Sequence, residues 1–591
     1  MNKKCCFLVA LAFIFQGCNS YITSDNSSNN INESSNVNNS SLLDESSSQN
    51  NDNSSISESS SSGEAISSIE DSSSSEVISS EESTSSIEDS SSEESSSSIE
   101  DSSSEESSSS SNDSSTPSKE DDYNKYKNKV DRSKITYSTP LVNDETHKVR
   151  RLEVFQINDT HGAYIDGDDT GISRVKTCIN ENTDDVYAQV KIANGDMMQG
   201  SAFSNMLIGE PAVASLNEMN FDCFVIGNHE FDWGIEKLKD YKDNDLSNGE
   251  LNCPFLGANI VDKNNERPSF IEPYTIVKKG DMKVGIIGVI GDGLENSISK
   301  VSLGDYHFTS TSEAVKKYSE ELLSKNVDTI IVASHAHDEG FNEKYTTNLK
   351  VDCIINAHDH QDVNYSIKRE DGKYVPVIES RTKNITMGKV VLNYDENKNY
   401  LNSSISHFYP SDYDEDEALK NLMNIYYEVV SDYQDEVIGY KANGFSKEEI
   451  ATATCTYIAN KYEADLVFVN TGGVRSNIES PLITNGHVYS VFPFDNELYT
   501  TYITGKELKS MISYKNMKNY YYNNSNIGLG TTYDFNNIDV NKLYKVMTVD
   551  YVATKAYMEI YFNEGHSFIK TGLYVRDEAI ECIKTNYEYT N

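Results

Sequence analysis

The sequence predicts an α/β layered domain, and the main evidence is a series of short apolar runs, each closely followed by polar residues. These runs, rich in Val, Ile and Phe, are "EVFQI", "QVKIAN", "CFVIG", "TIIVAS" and "CIINA". Continuous apolar runs of this length are typical of strands that are buried on both faces of a sheet. Helical stretches lie between them, and "EPAVASLNEMN" places Pro211 in a first helical turn, where proline is favoured. Helices that cover such a sheet complete a layered α/β domain.

With 591 residues the chain is too long for one hydrophobic core, so more than one globular domain is expected. The α/β domain is predicted over residues 149–410. A linking helix is expected within residues 411–437, in the stretch "YDEDEALKNLMNIYYEVVSDYQDEV". A second domain of α+β type is predicted over residues 438–591, where the helical stretch "KEEIATATCTYIANKY", the strand "ADLVFVN" and a mixed remainder follow one another.

Residues 1–18 have the features of an export signal. "MNKK" is basic, "CCFLVALAFIF" is an apolar stretch too short to span a bilayer, and "QGC" ends the segment at Cys18. The segment resembles a bacterial lipoprotein signal, which implies cleavage at or near Cys18 and a lipid anchor that holds the protein at the extracellular face of the cell membrane. The alternative is an ordinary secretory signal with an incidental Cys18, in which case the protein is secreted.

Residues 19–122 form a segment rich in Ser, Glu and Asp, in which "SSIEDSSS" occurs at positions 67, 85 and 97. Such a composition buries too little apolar surface to offset its conformational entropy. The segment is therefore predicted to be a disordered stalk.

The charge of the chain limits its partners. The formal net charge is -44, and 21 acidic but no basic residues lie between positions 19 and 118. The remainder, from position 119 onwards, still has 73 acidic against 48 basic residues. Most of this surface would repel a nucleic-acid polymer, which argues against a nucleic-acid-binding protein. A small anionic substrate is compatible with it if metal ions supply local positive charge.

The cysteines outside the export signal are scattered and lack C-x-x-C spacing. They indicate neither a disulfide framework nor a Cys-type zinc site, and we expect most of them to be small buried hydrophobic residues. They are Cys178, Cys223, Cys253, Cys353, Cys455 and Cys582.

Carboxylates, amides and imidazoles follow the predicted strands. The clusters "NDTHG", "NGD", "GNHEFD", "SHAHD" and "NAHDH" occur in this order along the chain. One such cluster alone is a weak signal, because a buried His often only satisfies a neighbouring carbonyl group. The whole series is a strong signal, since α/β sheets gather ligands along the carboxyl ends of their strands.

The residue types in these clusters predict a metal centre. Oxygen from Asp and Asn together with nitrogen from neutral His suits a divalent ion such as Mn, Fe, Co or Zn. Two such ions, joined by a bridging carboxylate, activate water and stabilise charge on a phosphoryl group. The sequence therefore predicts a hydrolase site with two metal ions.

In this order, the clusters resemble those of the calcineurin-like metallophosphatases. The later motifs "VNTGGVR" and "FPFDNELY" extend the resemblance to the bacterial 5'-nucleotidase and UDP-sugar hydrolase family, over residues 149–591. The resemblance implies a four-layer metallophosphatase sandwich and a C-terminal 5'-nucleotidase domain that closes over the substrate.

Carried over motif by motif, the resemblance also implies the metal ligands. His337 has no counterpart among the family's ligands and is interpreted as a structural residue or as a support for them. The ligands expected for the first ion are Asp159, His161 and His360, those for the second are Asn228, His335 and His358, and Asp196 is expected to bridge the two.

The cluster "GNHEFD" is also expected to supply the catalytic side chains. His229 would stabilise the developing charge on the phosphate or protonate the leaving oxygen, and Asp232 would orient and polarise its imidazole. Glu230 is expected to make a structural contact.

The second domain is expected to bind the substrate. Gly472 and Gly473 allow a sharp turn, and Arg475 offers a rigid fork that suits a phosphate or a carboxylate. Asn470 is expected to bond the base or the ribose. Phe494 matches an aromatic residue that stacks on the nucleobase in relatives, although a core Phe in a strand is the alternative.

The chain departs from the family pattern in this second domain. Thr471 replaces a Gly of the turn, and only Lys447 stands near the place where an Arg often precedes the first helix. The G-G-D-G-[YF] stretch that usually provides a second stacking aromatic is missing, and "VDYVATKAYMEIYF" stands near its place. These departures predict an intact hydrolytic centre with altered base recognition.

The predicted function is the extracellular hydrolysis of nucleotides, in the first place of nucleoside 5'-monophosphates to nucleoside and phosphate. The same centre would accept 2',3'-cyclic nucleotides, 3'-nucleotides or UDP-sugars, since the second domain selects the rest of the substrate. The alternative from another class is a surface-anchored binding protein or adhesin on a nucleotidase scaffold. The sequence leaves open which metals are used, the preferred nucleotide and the oligomeric state.

Overall fold

The computed structural model describes residues 124–167, 169–336, 341–346, 350–514, 519–523 and 537–589. The predicted export signal, the predicted stalk and His337 lie outside these residues. Two large sheets are built from residues 151–408, and a smaller main sheet is built from residues 466–574. The domain boundaries proposed above stay predictions.

The strands of the described residues are numbered in chain order. They are β1 (Arg151–Ile157), β2 (Gln189–Asn194), β3 (Cys223–Val225), β4 (Phe255–Leu256), β5 (Ile260–Val261), β6 (Ile271–Glu272), β7 (Tyr274–Lys279), β8 (Met282–Ile290), β9 (His307–Phe308), β10 (Thr329–His335), β11 (Cys353–Ala357), β12 (Val363–Lys368), β13 (Tyr374–Glu379), β14 (Met387–Tyr394), β15 (Tyr400–Phe408), β16 (Val437–Tyr440), β17 (Leu466–Asn470), β18 (Leu482–Thr484), β19 (Glu497–Thr504), β20 (Tyr520–Tyr522), β21 (Leu543–Val549) and β22 (Ile569–Tyr574).

The α-helices are numbered in the same way. They are α1 (Ile172–Glu181), α2 (Ala202–Asn205), α3 (Glu210–Met219), α4 (Lys300–Leu303), α5 (Thr311–Ser324), α6 (Phe341–Thr346), α7 (Glu417–Gln434), α8 (Lys447–Lys461), α9 (Asn485–Val491), α10 (Gly505–Tyr514), α11 (Asp550–Ala553) and α12 (Val575–Asn586).

Each large sheet has a parallel centre. The first sheet has antiparallel pairing at one edge, through β14 and β15, and the second has it at both edges, through β12 and β7. The first sheet has the strand order β15-β14-β1-β2-β3-β4-β6, and its strands from β1 to β6 run parallel. The second has the order β12-β13-β11-β10-β8-β7, with β8, β10, β11 and β13 parallel. The five apolar runs of the sequence lie in β1, β2, β3, β10 and β11, so their prediction as buried strands is confirmed.

The two large sheets pack face to face between helices. Side chains alternate along β1, so that Val154 enters the core between the sheets whereas Phe155 packs under the helices of the first sheet. Helices α1, α3 and α7 cover the outer face of the first sheet, and α5 covers that of the second. This order of helix, sheet, sheet and helix confirms the predicted four-layer sandwich.

The C-terminal part has its own core around a five-stranded sheet of order β20-β17-β21-β19-β22. Only the β17–β21 pair in this sheet is parallel, which is an α+β arrangement as predicted. Helix α8 begins with a capping box formed by Ser446 and Glu449, and its apolar face packs on β17.

Two smaller findings concern the described residues alone. The six cysteines are unpaired and buried, which agrees with their prediction as small hydrophobic residues. None of the helices combines the length and the apolar character that crossing a bilayer requires.

The segment before β1 is tied to helix α3 by buried acidic residues. Arg132 donates through Nε and Nη2 to both carboxylate oxygens of Glu210, at 2.7 and 2.5 Å. Ser138 donates to Glu218 through both its backbone N–H and its hydroxyl, each at 2.7 Å. Burial raises the pKa of Glu210 although Arg132 opposes that shift. The Arg132 guanidinium is therefore the main partner of a carboxyl group that is only 1% exposed.

We expect Arg132→Ala to lower the free energy of unfolding by about 2–4 kcal/mol, because it leaves the Glu210 carboxylate buried without its cation. Urea denaturation of residues 123–591 would measure the change. Lys134→Ala is the matched control, since the Lys134 side chain is 61% exposed and pairs with the exposed Asp131, and it should change the value by less than about 0.5 kcal/mol. Equal effects of the two substitutions would contradict the assigned role of Arg132.

Candidate metal centre and active site

The polar side chains of the candidate site follow the carboxyl ends of the central strands. Asp159 comes two residues after β1, Asp196 two residues after β2, and Asn228 lies in the turn after β3. His335 is the last residue of β10, and His358 directly follows β11. Because these strands run parallel within their sheets, their ends deliver the side chains to one place.

The backbone of this place is strained. Left-handed φ angles are uncommon for residues other than glycine and cost about 1–3 kcal/mol each, so they persist only where the surrounding structure holds them. Here five of the predicted ligands have them: Asp159 (49°), His161 (46°), Asp196 (53°), His358 (83°) and His360 (57°).

Glu230 joins the turns that follow β2 and β3. Its carboxylate accepts the backbone N–H groups of Asp196, Met197 and Gly227 at 2.9, 2.9 and 2.8 Å. This is the structural contact expected of Glu230. Burial raises the pKa of Glu230 to about 7, and the charge of Asp196 adds to the shift.

The first predicted ligand group is assembled in the structure. The Nε2 atom of His360 lies 3.2 Å from Oδ1 of Asp159 and 3.2 Å from Nε2 of His161. The Nε2 atom of His161 also lies 3.9 Å from Oδ1 of Asp159.

The second predicted group lies beside the first. Nε2 of His335 lies 3.3 Å from Oδ2 of Asp196 and 3.3 Å from Oδ1 of Asn228, and His358 belongs to the same cluster. Oδ2 of Asp196 is 3.9 Å from Nε2 of His161 in the first group. The Asp196 carboxylate therefore stands between the two groups, which is the place required of a bridging ligand.

Three observations show that these residues fit divalent metal ions. Oδ1 of Asp159 and Oδ2 of Asp196 are buried and have no hydrogen-bond partner among the described residues. The Nε2 atoms of His161 and His360 face each other, and a cation bound by both would make each of them a ligand. Nδ1 of His161 is 3.1 Å from the Gln199 carbonyl oxygen and Nδ1 of His335 is 2.8 Å from that of Asn194, which leaves both Nε2 atoms for a metal.

The electrostatics agree with this fit. Burial opposes ionisation of Asp159, but the neighbouring imidazoles, above all that of His360, lower its pKa to about 2. Burial also lowers the pKa of His161 well below its usual value, so its imidazole is neutral, the form that binds metals. The pKa of His335 is raised, because the charge of Asp196 outweighs the effect of burial. At that position a proton and a metal ion would compete.

The predicted catalytic pair lies next to the ligands. Nδ1 of His229 is 2.8 Å from Oδ2 of Asp232, and Nε2 of His229 is 3.9 Å from Oδ2 of Asp196. Burial lowers the pKa of His229, but the carboxylates of Asp232 and Asp196 outweigh it and the pKa is raised overall. By distance alone His229 would also complete a ligand cluster with His161 and Asp196.

A cavity of about 230 Å³ opens at this place between the sandwich and the C-terminal part. Asn228, His229 and His358 line it from the sandwich. The five predicted substrate residues line it from the other side: Asn470, Gly472, Gly473, Arg475 and Phe494.

Phe494 packs against His229, the predicted catalytic residue, rather than in a core. Its ring stacks on that of His229 with a centre-to-centre distance of 5.4 Å and an angle of 22°. The guanidinium carbon of Arg475 lies 5.9 Å from the centre of the Phe494 ring. Phe494 belongs to none of the described strands and is only partly buried, so its interpretation as a core Phe in a strand does not apply.

The cavity lining also contains residues that the sequence patterns did not predict, among them Gln199, Trp233 and Tyr551. Tyr551 lies two residues beyond the end of β21, which runs parallel to β17, and β17 itself ends at Asn470. The rule that ligands gather at the ends of parallel strands would have found it in the stretch "VDYVATKAYMEIYF". Its hydroxyl donates to the Asn296 carbonyl oxygen at 3.1 Å, which holds the ring at the cavity.

Two protein-family models match the chain. The calcineurin-like phosphoesterase model matches residues 152–362, and the model of the 5'-nucleotidase C-terminal domain matches residues 437–558. Both matched ranges contribute residues to the cavity. The roles of the individual site residues stay predictions.

The chain is also similar in sequence to three curated relatives. The chain is 26% identical over 402 residues to an endonuclease of Bacillus subtilis, covering 61% of this chain and 32% of that protein. It is 25% identical over 473 residues to a cell wall protein of Listeria monocytogenes, covering 67% and 60%. It is 24% identical over 425 residues to a 5'-nucleotidase of Vibrio parahaemolyticus, covering 62% and 74%. The chain thus spans about a third of the first of these proteins and three fifths of the second.

A solved structure has the same fold. The 5'-nucleotidase precursor of Thermus thermophilus superposes with a TM-score of 0.62 at 19% sequence identity, over 74% of this chain and 96% of that one. The order of the two matched domains, the shared fold and the assembled clusters agree with one another. The chain therefore belongs to the bacterial 5'-nucleotidase family, with a calcineurin-like phosphoesterase domain followed by a 5'-nucleotidase C-terminal domain.

Proposed function

We propose that the chain is a metal-dependent phosphoesterase that hydrolyses nucleotides, in the first place nucleoside 5'-monophosphates, to nucleoside and phosphate. The observation that carries the proposal is a single cavity that two predicted metal ligands, Asn228 and His358, line on one side. Arg475, Phe494 and Tyr551 line the other side. A phosphoryl group at the cluster would leave the base of the same nucleotide within reach of the aromatic side chains.

The metal ligands divide into two sets that share one carboxylate. Two divalent ions of Mn, Zn, Co or Fe type would supply positive charge to the phosphoryl oxygens and lower the pKa of a bound water. We assign Asp159, His161 and His360 to one ion, Asn228, His335 and His358 to the other, and Asp196 to both.

His229 is assigned the proton transfer. Its Nδ1 atom is held by Asp232, which fixes the orientation of the ring and leaves Nε2 for the leaving oxygen of the ester. Arg475 offers its fork to a phosphoryl oxygen. Phe494 and Tyr551 offer their ring faces to the nucleobase, with Tyr551 in the place of the missing family aromatic.

The names of the relatives support a substrate with a nucleotide unit, and they leave several kinds of phosphoester for the assay to distinguish. One relative is named a 5'-nucleotidase and another an endonuclease, so the phosphodiester of a nucleic acid belongs among the tested substrates. The 2',3'-cyclic nucleotides, the 3'-nucleotides and the UDP-sugars are competing substrates that the same centre would accept.

The proposal predicts phosphate release from AMP or UMP by residues 123–591 in the presence of Mn, Zn or Co. UDP-glucose, 2',3'-cyclic AMP, 3'-AMP and single-stranded DNA are assayed alongside. His229→Ala should lower kcat by about 10²- to 10⁴-fold with an unchanged metal content, because it removes the proton donor. His307→Ala is the control, since His307 contacts Asn265 away from the cavity. If no substrate is hydrolysed although metals are bound, a surface-anchored binding protein or adhesin replaces the enzyme as the proposed function.

If Phe494 and Tyr551 stack on the nucleobase, replacing either of them should weaken nucleotide binding. Phe494→Leu and Tyr551→Leu should each raise KM for the preferred nucleotide about tenfold, since stacking on an aromatic ring is worth about 1–3 kcal/mol per base. Hydrolysis of p-nitrophenyl phosphate, which has no nucleobase, should change little. Tyr502→Leu is the control, because Tyr502 is 42% exposed and outside the cavity lining. Equal losses on the two substrates would argue against stacking.

We further propose that Cys18 carries a lipid anchor and that the protein is displayed at the extracellular face of the membrane. The support is the basic start, the apolar stretch and the "QGC" ending of residues 1–18. Cys18→Ala should abolish incorporation of labelled palmitate in cells that express the full chain, whereas Cys6→Ala should not. Labelling that survives Cys18→Ala would rule out the anchor.

A further inference from the structure

We propose that Gln199 is a substrate-binding residue whose side-chain amide bonds a phosphoryl oxygen, an inference that rests on the function proposed above. Gln199 is 1% exposed and lines the cavity together with Asn228 and His229. Its Nε2 atom is buried without a hydrogen-bond partner among the described residues. Native proteins leave few buried polar groups unpaired, so such a group at a ligand cavity points to a ligand that pairs with it.

The main chain places Gln199 beside the predicted metal ligands. Gln199 lies three residues after Asp196, on the turn that follows β2. Its carbonyl oxygen is 3.1 Å from Nδ1 of His161. The backbone of Gln199 is thus tied to one predicted ligand, and the residue lines the same cavity as another, Asn228.

The chemistry of the cavity calls for a further donor. Three carboxylates line it, those of Asp232, Asp495 and Asp550, whereas Arg475 is the one Lys or Arg among the described lining residues. A phosphoryl group presents several oxygens, each of which accepts hydrogen bonds. A neutral amide donates two N–H groups without adding a charge that would repel metal ions. Gln199 is therefore suited to an oxygen that Arg475 and His229 leave unpaired.

The competing interpretation is that Gln199 acts only by positioning His161. The contact between Gln199 and His161 uses the backbone carbonyl oxygen of Gln199, which is kept when the side chain is substituted. Substitutions of the side chain therefore separate the two roles. Gln199→Met keeps the length and removes the amide, Gln199→Glu keeps the shape and adds a negative charge, and Gln199→Asn keeps the amide but shortens its reach.

The test compares the full-length protein and these variants, all loaded with Mn. Calorimetric titration with inorganic phosphate gives the dissociation constant, elemental analysis gives the metal content, and assays with the best nucleotide give KM and kcat. We expect Gln199→Met to raise the dissociation constant of phosphate about 10- to 100-fold at unchanged metal content, as for one lost hydrogen bond to a charged group. Gln199→Glu should bind phosphate more weakly still, and Gln199→Asn should fall between Gln199→Met and the wild type.

Gln361→Met is the matched control, since Gln361 is exposed and its amide donates to the Asp359 carbonyl oxygen at 3.2 Å. It should leave phosphate binding within about twofold of the wild type. Unchanged phosphate binding in Gln199→Met, or loss of metal from it, would overturn the assignment. Should the wild type hydrolyse no nucleotide, the proposed function fails, and the phosphate titration still decides whether Gln199 binds the anion.

Discussion

The two buried carboxylates of Asp159 and Asp196 are the constraint on which the rest of the site depends. Both side chains are at most 1% exposed, and each has one oxygen without a hydrogen-bond partner in the described part of the chain. An uncompensated charge in such a place is costly, so the surrounding residues are arranged to offset it. The imidazoles of His161, His335 and His360 meet these oxygens, and a metal ion would complete the compensation.

The architecture explains how so many polar groups are held together. Parallel strands from two packed sheets end at one place, and their turns adopt strained left-handed conformations that bring side chains from successive turns within 4 Å of one another. Glu230 stabilises these turns by accepting three of their backbone N–H groups. The predicted metal ligands are therefore all held by the sandwich.

The residues to which we assign substrate selection lie in a different part of the chain. Phe494, Arg475 and Tyr551 come from the C-terminal part, yet they complete the cavity that begins at the metal ligands. Near this cavity the two parts meet through the stack of Phe494 on His229 and through a bond from Asn205 Nδ2 to the Pro493 carbonyl oxygen at 2.8 Å. Under the proposed function, this division would let base recognition change while the hydrolytic centre is kept.

The sequence by itself determined the layered fold, the buried strands and the residue types of the metal centre, because hydrophobic runs and the polar clusters that follow them are local features. It also placed His229 and Asp232 in one turn, where a three-residue spacing permits their contact. Only the tertiary structure decided which cavity wall receives Gln199, Trp233 and Tyr551, and that an amide of Gln199 is left unpaired there among the described residues. Those facts depend on how distant segments pack, and no local pattern of residues encodes the distance between them.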